Sequence, residues 1–281
     1  MSDVNHTEAS TSRTLKVDDL TIHYHDTGGP GDVVVFVHGG GPGVASWNNY
    51  QDNIPVFAKA FRVLAFDIPH FGKSDKPKDD YLNAEMYVGV LAKALQALGV
   101  EKAHFIGIAM GGSISLNMAL AFPAMVDRLV VMGAGGSIPV FTVGPTESAK
   151  VLRAYYQGEG PSRPKLEAFV RLMVSDPACV TDAFLDDLYQ ASLDPGLMTP
   201  KEPKHLDTMF GLWKRVDQIK HKTLLAYGKE DRACPWDAGL VFLRLMANAD
   251  LHVFAGAGHW VQMERPAEFN STVMNFLAAP A

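Results

Sequence analysis

The sequence predicts an α/β fold, with a mostly parallel, doubly wound sheet and a helical lid insertion. Six short, nearly continuous apolar runs alternate with segments of helical pattern along most of the 281 residues. Strands that are apolar on both faces are typical of a parallel sheet covered by helices, and their alternation with helices indicates a doubly wound sheet. One long central stretch lacks any strand pattern, which indicates an insertion into that sheet.

The predicted elements begin with a hairpin at residues 15–26, where polar and apolar residues alternate. The apolar runs that predict the strands of the parallel sheet are residues 33–38, 61–67, 103–108, 129–133, 223–227 and 251–254. The helices expected to cover this sheet are residues 46–59, 84–98, 112–122, 236–249 and 266–277.

The stretch without strand pattern contains polar, proline-punctuated helical pieces, at residues 148–157, 165–174 and 181–192. It is too long for a simple strand-to-helix connection and too apolar for a disordered linker. We therefore predict a helical lid at residues 139–207, over the carboxyl ends of the strands, where open α/β sheets bind ligands. The predicted core comprises residues 14–138 and 208–281, and the polar residues 1–13 are expected to form a flexible tail.

Composition restricts the classes of function. Hydrophobic residues make up 47% of the chain and charged residues 20%, which is typical of a globular protein. The net charge of −6 and the lack of a Lys/Arg cluster oppose a nucleic-acid partner. No apolar window approaches the roughly 18 residues of a membrane span, so no membrane partner is expected. Cys179 and Cys234 form no CxxC pair, which predicts buried free thiols and a cytoplasmic location.

An unusual turn motif lies in residues 104–112, where an apolar strand runs into Gly-x-Ala-x-Gly and then a helix. The pattern matches the nucleophile elbow Gly-x-Ser-x-Gly, except that Ala109 stands at the serine position. Such an elbow holds its central residue in a strained turn, and Gly107 and Gly111 would let the strand and helix pack closely enough to form it. Ala109 has no hydroxyl group, so this position cannot supply a nucleophile.

Three further elements accompany the elbow. Asp231 follows a predicted strand in a Gly-x-x-Asp turn, and His259 follows the next strand in a Gly-x-Gly-His turn. The order elbow, acid, histidine is the order of the α/β-hydrolase fold, in which the histidine is the base and the acid fixes its tautomer. The glycines of the loop HGGGPG after the first parallel strand, Gly40 and Gly41 among them, would let a backbone N–H face an oxyanion beside the N–H of Met110.

Two other patterns imitate nucleotide sites. Gly72, Lys73 and Ser74 resemble the end of a phosphate-binding loop, but its required first glycine falls on Asp67. The glycines of residues 107–112 imitate a dinucleotide fingerprint, but the acidic residue that should end the next strand precedes it instead. Neither phosphate nor NAD binding is therefore predicted.

Residues 12–280 resemble the meta-cleavage product hydrolases, which cut carbon–carbon bonds in ring-opened aromatic compounds. The resemblance lies in STSR, HGGGPGVASWNNY, DIPHFGKSDKP, GPTESAK and LHVFAGAGHWVQMERPAEFN. It implies hydrolysis of a small-molecule substrate of the 2-hydroxy-6-oxo-hexa-2,4-dienoate type to a 2-hydroxypentadienoate and a carboxylic acid. It also implies a homodimer or larger homo-oligomer, and no metal or organic cofactor. A serine in place of Ala109 would complete its triad with Asp231 and His259.

The resemblance also implies a substrate pocket, and the sequence departs from the family there. Asn49 and Trp260 match positions that line the dienoate pocket. Ile108 stands where the family usually has asparagine, and Leu188 aligns with a lid arginine that pairs with the substrate carboxylate. Leucine supplies neither the charge nor the planar geometry of that arginine, so the substrate of this protein is expected to be less polar or its chemistry different.

Three interpretations remain open. The protein is a natural enzyme that works with an Asp231–His259 dyad, an engineered serine-to-alanine variant, or a lidded binding protein for a hydrophobic ligand. Engineering would explain Ala109 but not Ile108 and Leu188. A binding protein has no need of the retained dyad. The sequence therefore favours a hydrolase acting on a carbonyl substrate.

Overall fold

The computed structural model describes residues 6–79, 81–198 and 206–279 and contains an eight-stranded sheet. Its strands lie in the order β1-β2-β4-β3-β5-β6-β7-β8. The pairs β1–β2 and β2–β4 are antiparallel, and every other neighbouring pair is parallel. The strands are β1 (Ser12–Val17), β2 (Leu20–Asp26), β3 (Val33–Val37), β4 (Arg62–Phe66), β5 (Ala103–Ile108), β6 (Val126–Met132), β7 (Lys222–Gly228) and β8 (Ala249–Phe254). The predicted, mostly parallel sheet is confirmed.

The helices flank this sheet or form the insertion. They are α1 (Glu8–Thr11), α2 (Ser46–Tyr50), α3 (Ile54–Phe57), α4 (Ala84–Ala97), α5 (Met110–Ala121), α6 (Glu147–Tyr155), α7 (Arg163–Met173), α8 (Asp182–Ser192), α9 (Pro195–Met198), α10 (Leu206–Phe210), α11 (Asp237–Leu245), α12 (Val261–Glu264) and α13 (Pro266–Ala278). The single helix predicted at residues 46–59 is instead two, α2 and α3. Pro55 lies in the first turn of α3 and has no N–H to continue a helix from α2.

The segment predicted as a flexible tail contains regular structure. Residues 1–5 lie outside the described residues, but α1 and the start of β1 fall within residues 1–13. The Thr7 side chain caps α1 by accepting from the Ser10 N–H. Thr11 is 2% exposed, and its hydroxyl lies 2.9 Å from His25 Nδ1. Cap and buried contacts hold this segment on β2, which the polar composition did not indicate.

Two buried apolar clusters cover the two faces of the sheet. Alternate residues of β3 enter different clusters, with Val35 in one and Phe36 in the other. The lid helices α7 and α8 join the second cluster through Phe169 and Leu185. The described part of residues 139–207 contains helices and no strand, as predicted, while residues 199–205 lie outside the described residues. Within the described ranges, no helix is both long and apolar enough to cross a membrane.

The chain reverses its direction of winding at β3. From β3 it passes to β4 on one side and then to β5 on the other, which makes the β3–β5 boundary a topological switch point. Gly111, in the first turn of α5, packs so closely there that a Cβ would strike the carbonyl oxygens of Val37 and His38. The elbow and the loop after β3 therefore meet at the carboxyl edge of the sheet.

We predict that Gly111→Ala destabilises the fold, because backbone atoms of β3 would have to move to admit the methyl group. Overpacking of this kind costs about 1–3 kcal/mol. Gly89→Ala in α4 is the matched control, since nothing lies within 4 Å of its added Cβ and alanine favours a helix by about 0.5–1 kcal/mol. Chemical denaturation measures both free energies of unfolding. Equal effects of the two substitutions would contradict the predicted close contact.

Candidate active site

Ala109 lies in the strained turn that the elbow pattern predicts. It connects β5 to α5 with φ 50° and ψ −114°, a positive φ that residues other than glycine seldom adopt. Its N–H donates to the Met132 carbonyl at 2.8 Å, and its carbonyl accepts from the Ser113 N–H at 3.0 Å. Neighbouring β6 and the first turn of α5 thus hold the turn in place.

Asp231 and His259 form a buried pair. His259 Nδ1 lies 2.8 Å from Asp231 Oδ2, and their side chains are only 6% and 1% exposed. The other carboxylate oxygen, Oδ1, accepts from the backbone N–H groups of Ala233 at 2.7 Å and Cys234 at 2.8 Å. The carboxylate is thereby fixed, and it favours the imidazole tautomer that carries a proton on Nδ1. His259 Nε2 is then the nitrogen that can accept a proton from a bound molecule.

The lid and α12 both hold the backbone of the turn that carries His259. The His259 N–H donates to the carbonyl of Met173, at the end of α7, at 2.7 Å. Glu264 Oε2 accepts from the Gly258 N–H at 2.6 Å, while Oε1 accepts from the Asp176 N–H of the lid at 3.2 Å. Burial raises the pKa of Glu264. These bonds join the end of α7 to the turn that carries His259.

The loop after β3 presents backbone donors to the elbow. Among the described residues, no protein acceptor takes the N–H groups of Gly40, Gly41 or Met110. Gly40 lies against Met110, since a Cβ on Gly40 would be 3.3 Å from the Met110 sulfur. The Gly39 N–H donates to Asn49 Oδ1 at 3.1 Å. Gly40 and Met110 are therefore in neighbouring positions, and their N–H groups, the predicted oxyanion donors, have no acceptor among the described residues.

A cavity of about 290 Å³ lies over Ala109 and His259. Its lining includes six of the predicted site residues, namely Gly40, Asn49, Ile108, Ala109, His259 and Trp260. Asp231 lies behind His259, and neither Gly41 nor Met110 is part of the lining. Lid and loop residues complete it, namely Ser148, Leu152, Phe169, Met173, Phe210 and Cys234 among others. Lys and Arg are absent from the described lining, so no described cation faces a substrate carboxylate.

Leu188 is not in this cavity. It lines a neighbouring groove of about 650 Å³ together with Trp47, Lys73 and Phe184. Its backbone carbonyl lies so close to Gly43 that a Cβ there would strike it. Leu188 is buried in the same apolar cluster as Phe169 and Trp260, and its contact with the substrate stays a prediction.

The two cysteines are free, but the prediction that both are buried is wrong, since Cys179 is exposed and Cys234 is partly exposed. Cys234 lines the cavity, where burial and the Asp231 carboxylate raise the pKa of its thiol. A thiol with a raised pKa is a poorer nucleophile, which argues against Cys234 as a replacement for the missing serine. The described residues contain no group of three or more His, Cys, Asp or Glu residues that could bind a metal ion.

The sequence analysis did not identify the lid residues that close the cavity. Phe169 and Met173 lie on a predicted helix, but the face that they occupy becomes a cavity wall only when α7 docks on the His259 turn. Ser148 falls within the GPTESAK motif, which was a signal for its position. Its hydroxyl donates to the Arg232 carbonyl at 2.8 Å.

Comparison with known proteins agrees with this geometry. The profile of the α/β hydrolase family matches residues 34–272. A 2-hydroxy-6-oxononadienedioate/2-hydroxy-6-oxononatrienedioate hydrolase of Escherichia coli K12 is 36% identical over 293 residues, covering 98% of each chain. The protein of the same name from Klebsiella pneumoniae is 36% identical over 291 residues, covering 97% of each chain.

Solved structures show the same relationship. A serine-to-alanine mutant of the meta-cleavage product hydrolase CumD from Pseudomonas fluorescens IP01, complexed with acetates, is 30% identical. It superimposes with a TM-score of 0.86 over 96% of this chain and 98% of that one. The Rhodococcus RHA1 2-hydroxy-6-oxo-6-phenylhexa-2,4-dienoate hydrolase, at 24% identity and a TM-score of 0.85 over 95% and 98% of the chains, shares the fold. The chain belongs to the α/β hydrolase family and, within it, to the meta-cleavage product hydrolases.

Proposed function

We propose that this protein is a carbon–carbon bond hydrolase that uses the Asp231–His259 dyad without a serine nucleophile. Its substrate is a ring-opened carbonyl compound of the 2-hydroxy-6-oxo-hexa-2,4-dienoate type, which the names of the relatives support. The observation that carries the proposal is the position of His259. Its ring is oriented by Asp231, and it lines the same cavity as Ala109 and Gly40, whose N–H has no described protein acceptor. These features support a role for His259 as the base and for the loop as the oxyanion hole, with no nucleophile at the elbow.

The reaction then uses water as the nucleophile. His259 Nε2 takes a proton from a water molecule, and the hydroxide oxygen bonds to the keto carbon of the substrate. The Gly40 and Met110 N–H groups stabilise the negative charge on the former carbonyl oxygen. The carbon–carbon bond then breaks, and its electron pair stays on the five-carbon fragment, which takes the proton from His259. The other fragment leaves as a carboxylic acid, so one water molecule is consumed.

Ala109 has a specific consequence for this route. In a serine enzyme, the elbow hydroxyl lies between the histidine and the substrate carbonyl and is the group that the base activates. A methyl group at this position leaves that volume free for water and gives His259 no hydroxyl partner at the elbow. The same substitution would also result from deliberate inactivation of a serine enzyme. Removal of the nucleophile would likewise leave a binding protein with an intact dyad, so both alternatives are tested below.

The proposal also covers the location of the protein, its oligomeric state and the size of its ligand. A cytoplasmic location is supported by the two free cysteines, which are typical of a reducing compartment. A homodimer or larger homo-oligomer is supported only by the family resemblance. We propose that the ligand itself is a small molecule, since it must fit a cavity of about 290 Å³.

We predict that His259→Ala and Asp231→Asn each reduce turnover of a ring-cleavage dienoate by about 10²–10⁴-fold, while ligand affinity changes little. His259→Ala removes the base, and Asp231→Asn no longer holds the proton on Nδ1. His252→Ala is the matched control, because the His252 side chain is 41% exposed on β8. Substrate depletion measures turnover, and titration calorimetry measures affinity. A binding protein would show no turnover in the parent, and equal turnover in all variants would refute the dyad.

We predict that Ala109→Ser increases turnover by less than about tenfold, because the dyad route uses water rather than an elbow hydroxyl. Loss of an elbow serine can cost on the order of 10⁶ in turnover in a serine enzyme. A gain of several orders of magnitude in Ala109→Ser would therefore identify this chain as an inactivated serine hydrolase. Steady-state assays on dienoates and on simple esters measure the difference.

A further inference from the structure

We propose that Ser12, His23 and Asp67 form a Ser–His–Asp hydrogen-bond network, which positions the oxyanion loop, residues 38–46. They are positioning residues, because they act on the reaction only through the backbone of that loop. The inference deepens the proposed function, since the loop supplies the Gly40 donor used there. Its structural part, the order of the loop, can be tested whether or not the protein turns over a substrate.

The Ser–His–Asp network crosses three neighbouring strands. The Ser12 hydroxyl, at the start of β1, lies 2.8 Å from Nε2 of His23 on β2. His23 Nδ1 lies 2.8 Å from Oδ2 of Asp67, which directly follows β4. The side chains of His23 and Asp67 are 3% and 2% exposed. The distance between Nδ1 and Oδ2 is the same as in the Asp231–His259 pair. In His23, however, Nε2 is bonded to the Ser12 hydroxyl, whereas in His259 the same nitrogen is available.

Asp67 holds the far end of the oxyanion loop. Its Oδ1 accepts from the Ser46 N–H at 2.8 Å and from the Ser46 hydroxyl at 2.6 Å, where the loop enters α2. Its Oδ2 also accepts from the Lys73 N–H at 2.9 Å. Burial alone would raise the pKa of Asp67, but the hydrogen bond from His23 and the other donors lower it well below its usual range. The group is therefore a buried carboxylate whose donors stabilise the charged form.

The near end of the loop depends on the next residue of the same segment. The Ile68 N–H donates to His38 Nε2 at 3.0 Å, and His38 Nδ1 donates to the Gly39 carbonyl at 2.6 Å. Burial lowers the pKa of His38, which favours the neutral ring that this bonding pattern needs. Residues 67 and 68 thus hold both ends of the loop, with Gly40 between them.

The Ser–His–Asp network is not a second hydrolytic site. Neither Ser12 nor His23 lines the cavity or the neighbouring groove, and the His23 ring is enclosed. A buried, multiply bonded carboxylate is instead suited to fixing backbone geometry, since loss of one partner leaves the charge undercompensated. Misplacement of a donor by about 1 Å can reduce a rate by up to 10²-fold.

Hydrogen–deuterium exchange of the hydrogen-bonded loop amides, those of Gly39, Val44 and Ala45, tests the inference directly. We expect His23→Ala and Ser46→Ala to increase exchange there by at least tenfold, with little change in β5, β6 and β7. His23→Asn should restore much of the protection, because its amide can donate to Asp67. The matched control is Asp18→Asn, which removes an exposed ion pair with Lys93 (2.6 Å) on the same hairpin.

Turnover provides the second readout. We expect kcat for a dienoate to fall by about 10–10²-fold in His23→Ala and Ser46→Ala, with KM changed less than threefold. His23→Asn should recover part of kcat. Unchanged loop exchange in both alanine variants, or a uniform increase across the whole sheet, would overturn the inference. If the parent protein turns over no dienoate, the proposed function fails. The exchange result still decides whether the Ser–His–Asp network orders the loop.

Discussion

The close approach of α5 to the end of β3 determines where the parts of the site lie. Gly107 and Gly111 have no Cβ atoms, and any Cβ there would strike neighbouring backbone oxygens. This contact brings Ala109 against Gly39 and Met110 against Gly40. The positive φ of Ala109 is a strain of about 1–3 kcal/mol, which the surrounding packing offsets. The elbow geometry therefore persists in a chain that has no elbow nucleophile.

The described residues contain two buried His–Asp pairs of equal separation, whose surroundings differ. His259 lines a cavity, so its Nε2 is available for a proton. His23 is capped by the Ser12 hydroxyl, and its carboxylate partner is bonded to backbone N–H groups. The same pair of side chains can thus act as a base where one nitrogen faces a cavity, and it is fully hydrogen-bonded where both nitrogens have partners.

The lid contributes to both shape and chemistry. Its helix α7 ends on the turn that carries His259, so lid position and base orientation are linked through Met173 and Glu264. The described cavity wall has an amide, hydroxyl, thiol and imidazole among mainly apolar side chains. This wall suits a substrate held mainly by its apolar parts, with a few polar groups to orient the carbonyl.

The sequence alone determined the sheet, the elbow, the Asp231–His259 pair and the resemblance, because these depend on local patterns that repeat at strand ends. It mispredicted the order of residues 6–13, the single helix at residues 46–59 and the burial of both cysteines. The order of residues 6–13 depends on the contact between Thr11 and β2, and the position of Leu188 depends on the packing of α8 against residue 43. Only the tertiary structure decided these points, since long-range packing selects which face of a helix meets the cavity and which polar side chains become buried partners.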